Sequence, residues 1–236
     1  MINPHAIITD YHIDLYSRCP RRCFFEWEKP QKDPENLLRR VIQKCYSFLT
    51  KNGYFPPWKR VFNWASDEIT AIITSRPDSY YDEYKGLLAQ LQYWYYDHFS
   101  QEPEAVGIPN VPLKLDLTKG QLSLTADLLI WNPEPTLVQI VQTHRPTSER
   151  ILFEKPSIYA KLWLLRETLS VKTNRCRIIY TFPQSVRVKD KILTDDQLRR
   201  GASSTDLILK GIQSDTFYPS ITEQCDNCPH KYKCRF

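Results

Sequence analysis

The chain has 236 residues, 42% hydrophobic and 13% aromatic, with 32 Lys and Arg against 27 Asp and Glu for a net charge of +5. That is enough apolar material for one globular domain with a full core, and it excludes a disordered or low-complexity chain. No apolar run reaches the roughly 20 residues of a membrane helix, so no membrane partner is expected, and so modest a charge excess permits nucleic acid without requiring it.

Seven cysteines, an odd number, and an N-terminus without a basic start and long apolar run imply a reducing, cytoplasmic setting. The whole of 1–236 reads as a single domain.

From the N-terminus, residues 8–29 carry Tyr11, Leu15, Tyr16, Phe24 and Phe25 around Cys19-Pro20-Arg21-Arg22, which predicts a short helix and then a turn. Arg18, Arg21 and Arg22 make this the most basic spot: either phosphate contacts or a solvated helix end. Asp33-Pro34 is a helix start, and Leu38, Val41, Ile42, Cys45 and Leu49 continue at helical spacing, predicting a helix over 34–51. Gly53 and Pro56-Pro57 end it. Further helices are expected over 58–75 and 78–100, so that 34–100 forms a helical insertion. The cluster Tyr93-Trp94-Tyr95-Tyr96 suits stacking on bases, and at helical spacing it suits a core equally well.

Beyond Gly107 and Pro109 the pattern becomes that of strands: 111–117, a Lys119-Gly120 turn, 121–131, a Pro-rich turn, then 137–144, together an antiparallel meander. In the second strand Leu122, Leu124, Ala126, Leu128 and Ile130 share one face, which puts Asp127 on the other. A helix over 151–169 and a strand over 176–182 suggest a crossover unit, so 111–182 would hold the core sheet and its helix. Thr194-Asp195-Asp196 opens a last helix, to about residue 214.

The chain ends in Cys225-x2-Cys228-x5-Cys234. Three soft ligands in a compact loop want a fourth; Cys19 is the candidate and Cys23 its rival. With Cys19, a metal would close a loop of roughly 200 residues, restricting the unfolded chain by about 5 kcal/mol in the chain-entropy picture. An iron–sulfur cluster, Zn2+ and unligated thiols are the three readings.

Taken in order, Cys19-Pro20-Arg21-Arg22, a strand Asp127, a second strand, a helix with Tyr159-Ala160 and the terminal cysteines resemble the iron–sulfur branch of the PD-(D/E)XK nuclease superfamily. That branch includes CRISPR-associated iron–sulfur exonucleases and AddB-type nuclease domains. The resemblance implies an α/β fold: a restriction-endonuclease-like core with a mixed central sheet, an N-terminal helical insertion and a C-terminal Cys-rich metal clasp. It also implies a [4Fe-4S] cluster on Cys19, Cys225, Cys228 and Cys234, and Mg2+ or Mn2+ at a carboxylate centre.

In such nucleases a strand Asp and an acidic residue on the next strand hold the ion, while a Lys two residues on orients water. Asp127 matches the first and is the metal candidate. In Ile140-Val141-Gln142-Thr143-His144, however, Gln142 stands at the second carboxylate and His144 at the lysine. The family's upstream His has only Gln43 nearby, and its helical Gln is Lys155. A neutral amide is a poor ligand for a hard cation, and a His is only partly charged at neutral pH. Losing several preorganised charges argues against ordinary turnover.

The resemblance therefore implies a catalytically degenerate nuclease-fold protein that binds DNA or serves in a DNA-processing complex with protein partners. Its phosphate contacts would include Arg21, Arg22, Arg39, Arg40, Lys44 and Tyr159. An active exonuclease using a relocated Glu149 or Glu154, and a protein-binding scaffold without nucleic acid, are the alternatives.

Overall fold

The structure is a computed structural model, and it describes residues 6–27, 37–75, 81–101, 106–142, 155–182, 185–220, 225–226 and 228–234. In chain order the elements are β1 (Ile7–Ile8), α1 (Asp10–Arg18), α2 (Pro20–Glu26), α3 (Leu37–Asn52), α4 (Trp58–Ser75) and α5 (Tyr81–Asp97). After a 3₁₀ turn (Phe99–Gln101) come β2 (Val106–Asp116), β3 (Gln121–Trp131), β4 (Pro135–Gln142), α6 (Pro156–Leu169), β5 (Arg175–Phe182), β6 (Ser185–Ile192) and α7 (Asp195–Gln213).

Among the described residues six strands form one mixed sheet. β2, β3 and β4 make the expected antiparallel meander; β5 lies parallel to β4 across the α6 crossover, and β6 returns antiparallel to β5. The Lys119-Gly120 turn is present, with Gly120 at φ 85°, a conformation that favours glycine.

Helices cover both faces. On one, α1, α6 and α7 bury Ile13, Leu162, Leu165, Ile208 and Leu209 against Leu122, Leu124, Leu129 and Ile178. On the other, α3, α4 and α5 bury Ile42, Tyr46, Val61 and Trp94 against Leu128, Ile130, Val138 and Ile140. Each face removes enough apolar area to support folding at roughly 25 cal/mol per Å2.

This division corrects the single apolar face expected of β3. Leu122, Leu124 and Ala126 enter the first core, whereas Leu128 and Ile130 enter the second. The change falls where the ladder is interrupted: β2–β3 pairing runs from Asp116↔Gln121 to Val106↔Trp131 but skips Asn110 and Asp127, and Asn110 of β2 adopts φ 52°, a left-handed conformation rare for a residue with a side chain. Asp127 lies at the interruption, only 5% exposed.

Several boundaries also differ. Residues 8–29 hold two helices rather than one, because a residue before proline is kept extended: Cys19 has φ −158° and ψ 104°, ending α1 and starting α2 at Pro20. The helix expected from 151 starts at Pro156 for the same reason, with Lys155 extended at its N-cap; 151–154 lie outside the described residues, as does the predicted start at 33–36. β2 begins five residues before the expected 111. It is a terminal strand, where Pro109 needs no partner for its missing N–H, and Thr50 of α3 answers both the N–H and the C=O of Gly107.

β6 is a strand that the sequence reading missed. It ends the sheet, and its alternation of Val186 and Val188 with Arg187, Lys189 and Lys191 is the charged pattern of an edge.

Candidate functional site

Strand β3 has two edges. β2 pairs along one from Gln121 to Trp131 except at Asp127; on the other, among the described residues, β1 pairs at Gln121 and Leu122 and β4 at 128–131. Between these two stretches no described strand pairs with β3, and Asp127 stands just past the last β3–β4 pair. Its Oδ2 accepts hydrogen bonds from the Ile140 N–H at 2.7 Å and from Gln139 Nε2 at 2.5 Å. Asp127 thus replaces a backbone partner where the strands fork.

Three helices close on this fork. From α3, Arg39 pairs with Asp127 Oδ1 at 3.4 Å and donates to the Ile140 carbonyl at 3.1 Å. Gln43, one helical turn on, donates to the Asp127 carbonyl and to Asn110 Oδ1, at 2.7 and 2.9 Å. From α6, Lys161 is 1% exposed and donates to Gln139 Oε1 at 2.6 Å and to Asp10 Oδ2, at the start of α1, at 2.5 Å. One turn along α1, Asp14 accepts from the Ser157 N–H and hydroxyl and pairs with Lys155 at 3.6 Å.

The fork is therefore a chain of alternating partners: Arg39, Asp127, Gln139, Lys161, Asp10. Burial pushes the Asp127 carboxyl above its ordinary value, against the opposing pull of Arg39 and Lys161, and burial likewise raises Asp10 despite Lys161. Carboxylates of this kind hold their charge only because their donors are fixed.

The sequence-predicted centre is only partly assembled here. Asp127 is in it, Gln43 supports it through backbone and amide contacts, and Lys155 lies at its edge, tied to Asp14. His144, Glu149 and Glu154 lie outside the described residues, as does the side chain of Gln142. Asp10, Gln139 and Lys161 are the members that sequence reading passed over. Their signals were a polar residue in the apolar run Leu137-Val138-Gln139-Ile140-Val141 and a lysine on an otherwise apolar helix face.

The predicted phosphate contacts are engaged within the protein. Arg40 and Lys44 pair with Glu68 at 3.1 and 2.5 Å while staying half exposed, and Arg22 pairs with Glu26 at 2.6 Å. Arg21 lies over the Phe24 and Phe25 rings. Tyr159 is only 8% exposed, its ring against Gly201 of α7.

The second candidate is the chain ends. His230 packs tilted on Phe25, with centroids 5.2 Å apart, and its Nε2 is 3.3 Å from Glu26 Oε1, which docks the C-terminal loop on α2. Glu26 also accepts from Tyr11; burial raises its carboxyl, but the bonds from Tyr11 and Arg22 leave it below the ordinary value. Turns close the loop, with the Cys228 N–H donating to the Cys225 carbonyl at 3.2 Å and the Cys234 N–H to the His230 carbonyl at 2.9 Å.

Cys19, Cys225, Cys228 and Cys234 are all partly exposed, and Cys234 interacts electrostatically with the other three. Cys23 differs: it is buried, its thiol donates to the His12 carbonyl at 3.5 Å, and burial pushes it up to about 12. The four outer thiols suit a soft metal in kind and neighbourhood. Even so, among the described residues no group of three or more His, Cys, Asp or Glu is placed to hold a metal ion, at the fork or at the clasp.

No family model and no curated protein sequence matches this chain. Among solved structures, one from Eubacterium rectale described as a candidate exonuclease aligns at TM-score 0.57 and 12% identity, covering 97% of this chain and 88% of its own. The crystal structure of SSO0001 aligns over 99% of this chain and 88% of its own, at TM-score 0.46 and 12% identity. The fold is accordingly α/β with a mixed sheet, and it is similar to that of the structure described as an exonuclease. Among the described residues no helix is long and apolar enough to cross a membrane.

Proposed function

We propose that this chain is a nuclease-fold protein that binds DNA, alone or within a DNA-processing complex, and that its fork no longer takes a divalent ion. The observation that carries this reading is the occupancy of Asp127. One oxygen accepts from Gln139 and Ile140, the other faces Arg39, and the next strand offers an amide where a hard cation needs a second carboxylate. Lys161 brings a fixed positive charge into the space between Asp10 and Gln139.

Without the ion, a water has no Lewis acid to lower its pKa and a scissile phosphate has no partner for its developing charge. What the fold retains is a positive face. Arg39 and Lys155 flank the fork partly exposed, and Arg40 and Lys44 extend it along α3. Phosphates compete well for such surface cations, whose pairs with carboxylates are individually weak.

The clasp belongs to the same proposal as a staple. Cys19, Cys225, Cys228 and Cys234 would hold an iron–sulfur cluster, or else Zn2+, with Cys19 as the fourth ligand because Cys23 faces the core. When bound, the group supplies cross-linking of the two chain ends.

Purified protein is expected to leave single-stranded and duplex DNA intact with Mg2+ or Mn2+, matching its Asp127→Ala variant, while binding DNA with an affinity that falls steeply as salt rises. Cleavage absent from the Asp127→Ala variant would establish an active centre and end the degenerate reading. Salt-insensitive or absent binding would end the DNA reading. Iron, sulfide and zinc analysis after anaerobic purification tests the staple.

A further inference from the structure

Away from the fork, α6 and α7 enclose a cleft of about 530 Å3. The two helices touch where Tyr159 meets Gly201 and where the Thr205 hydroxyl donates to the Pro156 carbonyl at 3.4 Å. The cleft is lined by α6 from Tyr159 to Arg166 and α7 from Asp195 to Ala202, with the segment 172–174 before β5 and Glu134 and Pro135 at the start of β4 completing it. Its volume falls in the ~300–1,000 Å3 range of small-molecule sites.

The lining combines three chemistries. Trp163 on α6 and Leu198 on α7 give the lining its apolar part; both pack against the core below and remain partly exposed to the cleft. Lys172, Arg166 and Arg199 bring cations from three segments to the rim. Arg166 and Arg199 meet acids only at 4.0 and 3.8 Å and are 66% and 79% exposed, so they can turn to a ligand at little cost. Asp195, in the first turn of α7, adds an exposed carboxylate; the other acid, Glu134, is taken by Arg175 at 2.8 Å.

An aromatic wall suits a planar base, a carboxylate suits a vicinal diol, and convergent cations suit a phosphate. We infer that this cleft binds a ribonucleoside monophosphate, with the base against Trp163, the ribose hydroxyls on Asp195 and the phosphate on Lys172 with Arg166 or Arg199. The cleft opens at the Pro135 end of β4, whereas the fork lies at Gln139 and Ile140, so this inference stands independently of DNA binding there.

The test is isothermal titration of the full chain with adenosine 5′-monophosphate, its 2′-deoxy analogue, adenosine and inorganic phosphate. The monophosphate is expected to bind more tightly than adenosine or phosphate alone. Lys172→Glu is expected to weaken it about tenfold, the loss of one charge-assisted contact, while leaving adenosine unchanged. The deoxy analogue should bind more weakly than the ribonucleotide to the native protein and equally to Asp195→Asn. Both variants change exposed side chains, and thermal melting would verify that they fold. Absence of nucleotide binding, or binding that Lys172→Glu and Arg199→Glu together leave intact, would overturn the inference.

Discussion

At the fork, Asp127 and Lys161 are buried and every charge is answered by a protein neighbour; at the chain ends, Cys19, Cys225, Cys228 and Cys234 stand partly exposed around one another. The two regions lie at opposite ends of helix α1, which begins with Asp10 at the fork and ends next to Cys19. The fork shows carboxylates whose oxygens are satisfied by the protein's own donors. At the chain ends the four thiols are only partly exposed and lie near one another, and their contribution to folding would depend on what they bind.

The contrast breaks first at Lys161. If the fork is structural, Lys161→Ala removes the partner of Asp10 and Gln139 and should cost about 3 kcal/mol, the lower end of the 3–5 expected for a broken buried pair, since Asp10 is 36% exposed. Urea unfolding measures it; a loss under ~1 kcal/mol would make the network incidental to stability.

His12, on the same helix, sharpens the comparison through pH. Burial pushes it down to about 4 from an ordinary 6.5, and it stacks on Trp27 with centroids 4.2 Å apart. A depressed folded value means that its contribution is complete above pH 6.5 and is lost as pH falls towards 4, up to roughly 3 kcal/mol. His12→Gln should flatten that part of the stability profile; an unchanged slope would assign the acid sensitivity to other groups.

The clasp should respond least while metal-free. Cys228→Ser and Cys234→Ser are then expected to shift stability by no more than about 0.5 kcal/mol, as other partly exposed positions do. Alkylation of the same protein should label Cys19, Cys225, Cys228 and Cys234 under native conditions, and Cys23, Cys45 and Cys176 only after unfolding, because those three are buried. Rapid labelling of Cys23 would reopen the choice of fourth ligand.

Elements with strong local punctuation were legible in the sequence. Helix α4 matches its expected span, and α7 starts at Thr194, whose hydroxyl accepts from the Gln197 N–H while Gln197 reaches back to the Thr194 N–H. The meander and the crossover also followed from pattern. β6 did not, because half its side chains are charged for an edge that only the assembled sheet defines. Asp127 was legible as a polar residue in an apolar strand, but its partners arrive from positions 10, 39, 139 and 161. Spacing along a sequence cannot show that convergence, nor the interruption of the β2–β3 ladder at Asn110 and Asp127 beyond which Leu128 and Ile130 enter the other core.

The sheet has two lateral margins, and they are closed by different means. Along β2, Thr50 occupies the amide and carbonyl of Gly107 that a neighbouring strand would otherwise seek. Along β6, Arg187, Lys189 and Lys191 repeat positive charge at every second residue. A second copy approaching edge-on therefore meets a helix on one side and its own charge on the other. Both features work against growth of the sheet from molecule to molecule at these two margins.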